Sequence, residues 1–307
     1  MRPSMSTRHI TIAVVTYNSE SVIGDFLLAL EAATSDIADV VDTDVVVVDN
    51  CSRDSTAAVV ANTAPDATFI RMPTNAGYAA AINAAVAAIS SDAVLIANPD
   101  TRPEREAIAR LARALDDPRV GVAAPRLLDE SGSLQLSLRR DATLGRGFGE
   151  ALLGGKRASR YQALSQVVGD TMEYERVHDV DWASGALLLV SRECFAATGP
   201  WDESFFLYGE EEEFQQRARR HGLVVRYVPD AIAVHVGGEM HVEPRLWALG
   251  TVNKLRLYAR SHGRFTTAAF RFALVCNEAL RAPRGEAHRR ALGVLCSSDA
   301  LSGPIPK

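Results

Sequence analysis

The chain has 307 residues, of which 47% are hydrophobic and 23% charged, and its formal net charge is −5. That length is long for one domain, short for two, and enough to bury a large core. The acidic balance and the lack of any RNA-binding signature argue against nucleic acid as a partner.

Cys51, Cys194, Cys276 and Cys296 have neither metal-ligand nor redox spacing, so reduced thiols are expected. The first apolar run, 10–15, is too short for a signal peptide. No stretch reaches the ~18 apolar residues of a membrane span. A cytoplasmic location is therefore expected, with attachment to the inner face of a membrane left open.

Residues 10–16 are apolar and β-branched and end in Tyr17-Asn18-Ser19, the pattern of a buried strand running into a polar loop. Residues 21–33 carry Val22, Phe26, Leu27 and Leu30 at helical spacing. A second strand, 44–48, stops at Asp49-Asn50-Cys51-Ser52-Arg53-Asp54, and a helix runs to about residue 64. A third strand spans 68–72, an Ala-rich helix opens at Asn75-Ala76-Gly77-Tyr78, and a fourth strand, 93–97, ends in Asn98-Pro99-Asp100. Such β-α alternation predicts a doubly wound, mostly parallel sheet with ligands at the carboxyl ends of its strands.

Further on, 104–115 reads as a helix and 120–124 as a strand. Residues 129–178 are Gly-rich and basic and read as an irregular, partly mobile insertion. Strand character returns at 181–190 around Trp182-Ala183-Ser184-Gly185-Ala186. A helix is expected at 214–221, and strands at 224–228 and 231–236 are split by Pro229-Asp230. Beyond Pro244 the chain reads as helical. The domains expected are 1–244, catalytic, and 245–307, a helical extension.

Four carboxylates, Glu210 to Glu213, follow the aromatic turn Trp201-Asp202-Glu203-Ser204-Phe205-Phe206-Leu207-Tyr208-Gly209. Crowded like charges raise each other's pKa, which would suit a general base; a solvated acidic helix start is the plain alternative. Asp49 and Asp54 flank a strand-tip turn, where they can bind a base or ribose or simply shape the turn. Asp100 suits a hard cation held largely through phosphate oxygens. His235, before Gly237-Gly238, can complete a metal site or contact a phosphate, or be structural. No G-x-G-x-x-G or Walker loop is present, which counts against a dehydrogenase or ATPase.

Taken in order, Val14-Val15-Thr16-Tyr17-Asn18, Val46-Val47-Val48-Asp49-Asn50, Asn75-Ala76-Gly77-Tyr78, Asn98-Pro99-Asp100, Trp182-Ala183-Ser184-Gly185-Ala186 and the Trp201 to Glu211 run resemble a family-two glycosyltransferase of the GT-A fold, rhamnosyltransferase-like branch. The resemblance covers about residues 8–240. It implies an inverting transferase that uses a nucleotide-diphospho-sugar donor and a divalent cation, Mg²⁺ or Mn²⁺. By position, Glu211 would be the catalytic base with Glu210 beside it. Thr16, Tyr17, Asn18, Asp49, Asp54, Asn75, Gly77, Asn98 and Gly185 would bind the nucleotide-sugar, and Asp100 and His235 the metal. In the metal motif Asn98 stands where the first Asp is usual, and Glu211 stands where the base is usually Asp.

The resemblance further implies dTDP-L-rhamnose as donor and a saccharide acceptor, polyprenyl-diphosphate-linked, in cell-wall or surface-polysaccharide assembly. The competing readings are a sugar nucleotidyltransferase and a non-catalytic relic. The first would want a Gly-rich basic loop after the first strand, where Thr16-Tyr17-Asn18-Ser19-Glu20 stands; the second would be expected to have lost its carboxylates. In 245–290, basic residues interleave with apolar ones, which suits either peripheral contact with an anionic membrane or plain packing. Homo-oligomer formation is the remaining partner expectation.

Overall fold

The computed structural model describes residues 8–35, 41–237 and 243–301. Residues 1–7 and Gly238 lie outside the described residues, as does the end of the chain from residue 302. By packing, the chain falls into two compact units. The first comprises Met1–Ser137, Tyr174–Ser204 and Glu210–Val236; the second comprises Leu138–Glu173, Phe205–Gly209 and Gly237–Lys307.

The first unit is an α/β sheet domain. Strands β1 (Arg8–Thr16), β2 (Val41–Asp49), β3 (Thr68–Arg71) and β4 (Ala93–Ala97) alternate with helices α1 (Ile23–Ser35), α2 (Thr56–Thr63) and α3 (Tyr78–Ala87). The four strands pair in parallel in the order β3-β2-β1-β4. The apolar runs of β1 and β4 are buried on both faces, as parallel strands covered by helices must be. A short strand, β5 (Thr101–Pro103), follows, and then α4 (Ala107–Ala114), so the helix read from 104 starts later. Pro103 is tolerated because β5 is an edge strand, antiparallel to the last long strand.

The sheet continues through β6 (Val120–Leu128), β8 (His178–Val180) and β10 (Leu187–Ser191), whereas the short segments β7 (Leu138–Arg139) and β9 (Trp182–Ala183) are not part of it. Helix α7 (Arg192–Thr198), helix α8 (Glu210–Arg220) and the 12-residue β11 (Val224–His235) complete the unit. Strand β10 runs antiparallel between β4 and β6, which restores β6 and β11 to the direction of β1. The result is a mixed, mostly parallel sheet. Its core is built from β1, β4 and β10 residues such as Ile10, Ile12, Leu95 and Leu189, covered by Phe26 and Leu30 of α1 and Ile108 and Leu111 of α4.

Three sequence expectations need correction here. Residues 181–190 form two strands rather than one, broken at Ser184-Gly185. The two strands expected at 224–228 and 231–236 are one, β11, which ends at His235: Pro229 cannot donate to the ladder, and the register shift between Val228 and Ile232 absorbs it as a bulge. Helix α8 begins at Glu210, four residues before the Phe214 expected, so all four glutamates lie in its first turn and Arg217, Arg219 and Arg220 in its last. Both ends complement the helix dipole.

The second unit is helical. The 129–178 segment, read as irregular, contains α5 (Leu144–Leu153) and α6 (Gly155–Ala158). Thr143 caps α5 through the Arg146 N–H. The glycines that disguised it are packing sites. A Cβ on Gly147 would lie 2.9 Å from the Phe270 ring, and one on Gly149 would lie 2.4 Å from the Leu164 carbonyl oxygen. Helices α9 (Pro244–Ser261), α10 (Arg264–Arg281) and α11 (Glu286–Cys296) complete the unit. They enclose Leu249, Val252, Leu255, Tyr258, Phe270, Leu274 and Leu295. Among the described residues no helix is long and apolar enough to cross a membrane.

Candidate functional site

The carboxyl ends of β1, β2, β4 and β11 and the start of antiparallel β10 share one edge of the sheet. Every residue expected to bind the donor or the metal, or to act as base, lies in the sheet unit, at a strand end, in a loop or at a helix start.

One cluster joins the loops after β1 and β2. Asp49 is fully buried and accepts from the Thr16 hydroxyl at 3.2 Å and the Ser52 N–H at 3.1 Å, with the Arg71 guanidinium at 3.8 Å. Asn18 sits at φ 51°, donates its N–H to Ser52 Oγ (2.8 Å) and accepts from the Arg53 N–H (2.9 Å). Asp54 accepts from the Glu20 N–H and from the Thr56 N–H and hydroxyl. Burial works against ionisation of Asp54, but these donors outweigh it and hold the carboxyl below its ordinary value. Both acids therefore fasten the loops together. Tyr17, by contrast, is exposed.

Asn50 carries this cluster to the next loop. Its Nδ2 donates to the Gly77 carbonyl (3.1 Å) and its Oδ1 accepts from the Ala76 N–H (3.0 Å). Asn75 Oδ1 accepts from the Gly77 N–H at 3.2 Å, and Gly77 has φ 97°, a conformation suited to glycine. The turn delivers Tyr78 to the start of α3. Its hydroxyl donates to Asn98 Oδ1 at 2.8 Å. Burial, and after it the charges of Glu210, Glu211 and Asp100, push the phenol well above its ordinary pKa. The charges of these three carboxylates thus all act on the half-buried Tyr78, keeping its hydroxyl protonated.

A second relationship ties Asp100 to His235. His235 Nε2 lies 3.5 Å from Asp100 Oδ2, and the Val236 N–H donates to the Asp100 carbonyl. Gln135, from the loop after β6, donates through Nε2 to the His235 carbonyl, so its Oε1 faces His235 Nδ1 at 3.0 Å. That makes Nδ1 the protonated nitrogen and leaves the Nε2 lone pair turned towards Asp100. Burial lowers the imidazole pKa against the opposing pull of Asp100, which favours this neutral form. Two lone-pair-bearing atoms converging without a shared proton fit a divalent cation. No cluster of three or more His, Cys, Asp or Glu side chains suited to a metal occurs among the described residues. The chain would thus supply two ligands, and phosphate oxygens and water the rest.

The third relationship seats the acidic helix. Gly185 lies against Glu211: a Cβ there would be 3.3 Å from Glu211 Cβ and 3.5 Å from its Cγ. Gln215 locks this arrangement, accepting from the Ala183 N–H and donating to the Ala183 carbonyl, both at 2.8 Å, and to the Glu211 carbonyl at 3.0 Å. The stacked rings of Trp201 and Phe214, 4.9 Å apart, anchor the same helix. The other glutamates differ in role. Glu213 pairs with Arg217 at 2.8 Å, Glu212 accepts from Gln216, and Glu210 is buried.

Asp100, His235, Asn98, Glu210, Glu211 and Gly185 are thus brought together around Tyr78, while Thr16, Asn18, Asp49, Asp54, Asn75 and Gly77 build the adjoining loops. Sequence reasoning missed Asn50, Tyr78, Gln135 and Gln215 as site-building residues. Tyr78 and Asn50 stood inside motifs already singled out; Gln135 and Gln215 carried no local signal.

Residues 11–174 match the family model "Glycosyl transferase family 2". The chain is 28% identical over 246 residues to an N-acetylglucosaminyl-diphospho-decaprenol L-rhamnosyltransferase of Mycobacterium tuberculosis, covering 73% of this chain and 75% of that protein. It is 27% identical to the low-salt glycan biosynthesis hexosyltransferase Agl10 of Haloferax volcanii, covering 74% of this chain and 66% of that protein.

Among solved structures, a mannosyltransferase of Pyrobaculum calidifontis in complex with GDP-Man and Mn²⁺ is similar at TM-score 0.58 and 19% identity, over 98% of this chain and 77% of that one. Glucosyl-3-phosphoglycerate synthase of Mycobacterium tuberculosis, with Mn²⁺ and UDP, is similar at TM-score 0.55 and 18% identity, over 85% of each chain. These likenesses are of fold, the GT-A fold. With more than half of its length matched by that family's model, this chain belongs to glycosyl transferase family 2.

Proposed function

We propose that the chain is an inverting, metal-dependent hexosyltransferase that moves a sugar from a nucleotide-diphospho-sugar to a saccharide hydroxyl. The observation that carries the reading is the seating of Glu211 against Gly185, on the sheet edge that also holds the Asp100–His235 pair. Glu211 takes the proton of the acceptor hydroxyl. That oxygen forms a bond to the anomeric carbon as the bond from this carbon to the diphosphate oxygen breaks. The electron pair leaves with the nucleoside diphosphate. Attack opposite the leaving group inverts the anomeric centre in one displacement, without the glycosyl-enzyme of retaining glycosidases.

Asp100 and His235 would hold a divalent cation, Mg²⁺ or Mn²⁺, whose charge offsets that of the departing diphosphate when bound. The loops shaped by Asp49, Asn50 and Asp54 would receive the nucleotide, and Tyr78 holds Asn98 beside the metal ligands.

For the donor we take dTDP-L-rhamnose, and for the acceptor a polyprenyl-diphosphate-linked saccharide in cell-wall or surface-polysaccharide assembly. What supports this is the name of the mycobacterial relative, together with the motif pattern. Such an acceptor would place the enzyme at the inner face of the membrane.

The test is a panel of nucleotide-sugars offered with Mn²⁺ and lipid-linked acceptors. Release of nucleoside diphosphate coupled to sugar transfer supports the reading, with dTDP-L-rhamnose the best donor. Pyrophosphate release from a nucleoside triphosphate would make the chain a nucleotidyltransferase. Donor binding without turnover on any acceptor would make it a sugar-nucleotide-binding relic.

A further inference from the structure

Helix α10 has two apolar faces. One is buried, through Phe270, Ala273 and Leu274. The outward side of a surface helix is ordinarily polar. Here Phe265, Ala268, Phe272, Cys276, Ala279 and Leu280 fall within one arc of about 120° on the helical repeat. Phe265 is 79% exposed, and Phe272 and Leu280 are each 61% exposed. No charged or amide side chain interrupts that arc. Helix α5 extends it. The Phe148 ring lies 6.4 Å from that of Phe272. Arg281 donates to the carbonyls of Glu150 and Ala151, and this holds the end of α5, with Leu152 74% exposed, beside the end of α10.

The margins of this surface are basic. Arg264 lies over the Phe265 ring at 5.0 Å, Arg284 is exposed past the far end of α10, and Lys156 and Arg157 are exposed just after α5. Neither helix sets an exposed acid on it. The only acid of α10, Glu278, is buried and taken up by Trp247, Asn277 and His288. The only acid of α5, Glu150, is paired with Lys254. On α9, in contrast, Lys254 is paired with Glu150, Arg256 donates to the Ala300 carbonyl and Arg260 lies over the Phe205 ring.

We propose that the outer surface of α10 and α5 is a docking face for an anionic lipid bilayer, with Phe265, Phe272, Leu280 and Leu152 entering the interface and the basic margin meeting the headgroups. An apolar face ringed by cations is what the headgroup and acyl boundary of such a bilayer accommodates. A two-fold dimer through the same face would set the basic margin against itself. The inference rests on the proposed lipid-linked acceptor only for its purpose, not for its physics.

The test is co-sedimentation of the full chain with vesicles of phosphatidylcholine alone or mixed with phosphatidylglycerol, at low and raised salt. Binding to the anionic vesicles, weakened by salt, is expected. The Phe265→Ser/Leu280→Ser variant changes two exposed side chains and should keep the wild-type melting temperature while binding about tenfold or more weakly. Arg264→Gln/Arg284→Gln should lose the preference for anionic lipid.

Wild-type protein that ignores both vesicle types overturns the proposal, as does a serine variant that binds undiminished. Light scattering that finds a dimer lost in the serine variant, without vesicle binding, would assign the face to a second copy. No nucleotide-sugar enters these assays, so their failure leaves the transferase reading untouched, and failure of transfer leaves this one untouched.

Discussion

Gly185 and Glu211 share one space: a Cβ on Gly185 would come within 3.3 Å of the Glu211 Cβ. That contact is tighter than ordinary packing, so an added methyl group must move either the glutamate or the β9–β10 loop. Gln215 ties this loop to the Glu211 carbonyl and leaves little freedom to give way. Gly185→Ala should therefore fold normally yet transfer sugar about tenfold to a hundredfold more slowly, with the donor KM little changed. Steady-state kinetics with circular dichroism as a folding control checks it; wild-type kcat would remove the glycine from the site.

Glu211→Gln keeps shape and hydrogen bonding but removes basicity. Transfer should fall by about two to four orders of magnitude, while nucleotide-sugar binding persists. Comparison with Glu210→Gln decides which neighbour acts. A larger loss at Glu210 would shift the base by one residue.

Chelation should abolish transfer, and Mg²⁺ or Mn²⁺ should restore it. Asp100→Ala should weaken nucleoside diphosphate binding in the presence of the cation and leave metal-free binding nearly unchanged. Isothermal calorimetry with and without cation separates the two. Full turnover in excess chelator would leave the Asp100–His235 pair a structural contact.

Gln135 orients His235 through both its backbone and its ring. Gln135→Ala should cost about tenfold to a hundredfold in cation-dependent nucleotide affinity, the range seen when a partner that orients a metal ligand is removed. A purely structural role would lower the melting temperature without that selective loss, and Gln135→Glu, which keeps the acceptor at Nδ1, should partly restore affinity.

Glu150 tests the helical unit. Burial would raise its pKa, but Lys254 at 2.9 Å, the Gln166 N–H and the Ser165 hydroxyl prevail and hold it below the ordinary glutamate value. A depressed folded-state pKa contributes stability above the unfolded value, near 4.3 for glutamate, that is lost as pH falls through the folded one. Glu150→Gln should thus destabilise by about 1–2 kcal/mol at neutral pH, with the deficit shrinking in acid. Melting curves for both proteins across pH 3–8 report it; a deficit constant with pH would assign Glu150 to shape alone.

The alternation of β-branched runs with helical spacing, and the acids and amides closing each run, were enough to determine the sheet and the edge on which its polar residues gather. That follows from local physics: strand period, helix period and turn chemistry are written within a few residues of each other. The first four strands and three helices obey it closely, and so do the loops holding Asn18, Asp49 and Asn98.

What lay beyond local physics belonged to the tertiary structure. Glycines at 147 and 149 looked like loop residues because only the approach of Phe270 and Leu164 explains them. Pro229 looked like a strand end because only pairing with β6 absorbs its missing N–H. The four glutamates looked equivalent, and packing alone separates Glu211, set against Gly185, from Glu213, spent on Arg217. Gln135 meets His235 across 100 residues of chain, and Gln215 meets Ala183 across 32. A polar side chain that serves by reaching a distant backbone leaves no periodicity and no motif; its role exists only once the sheet has brought its partner within hydrogen-bond distance.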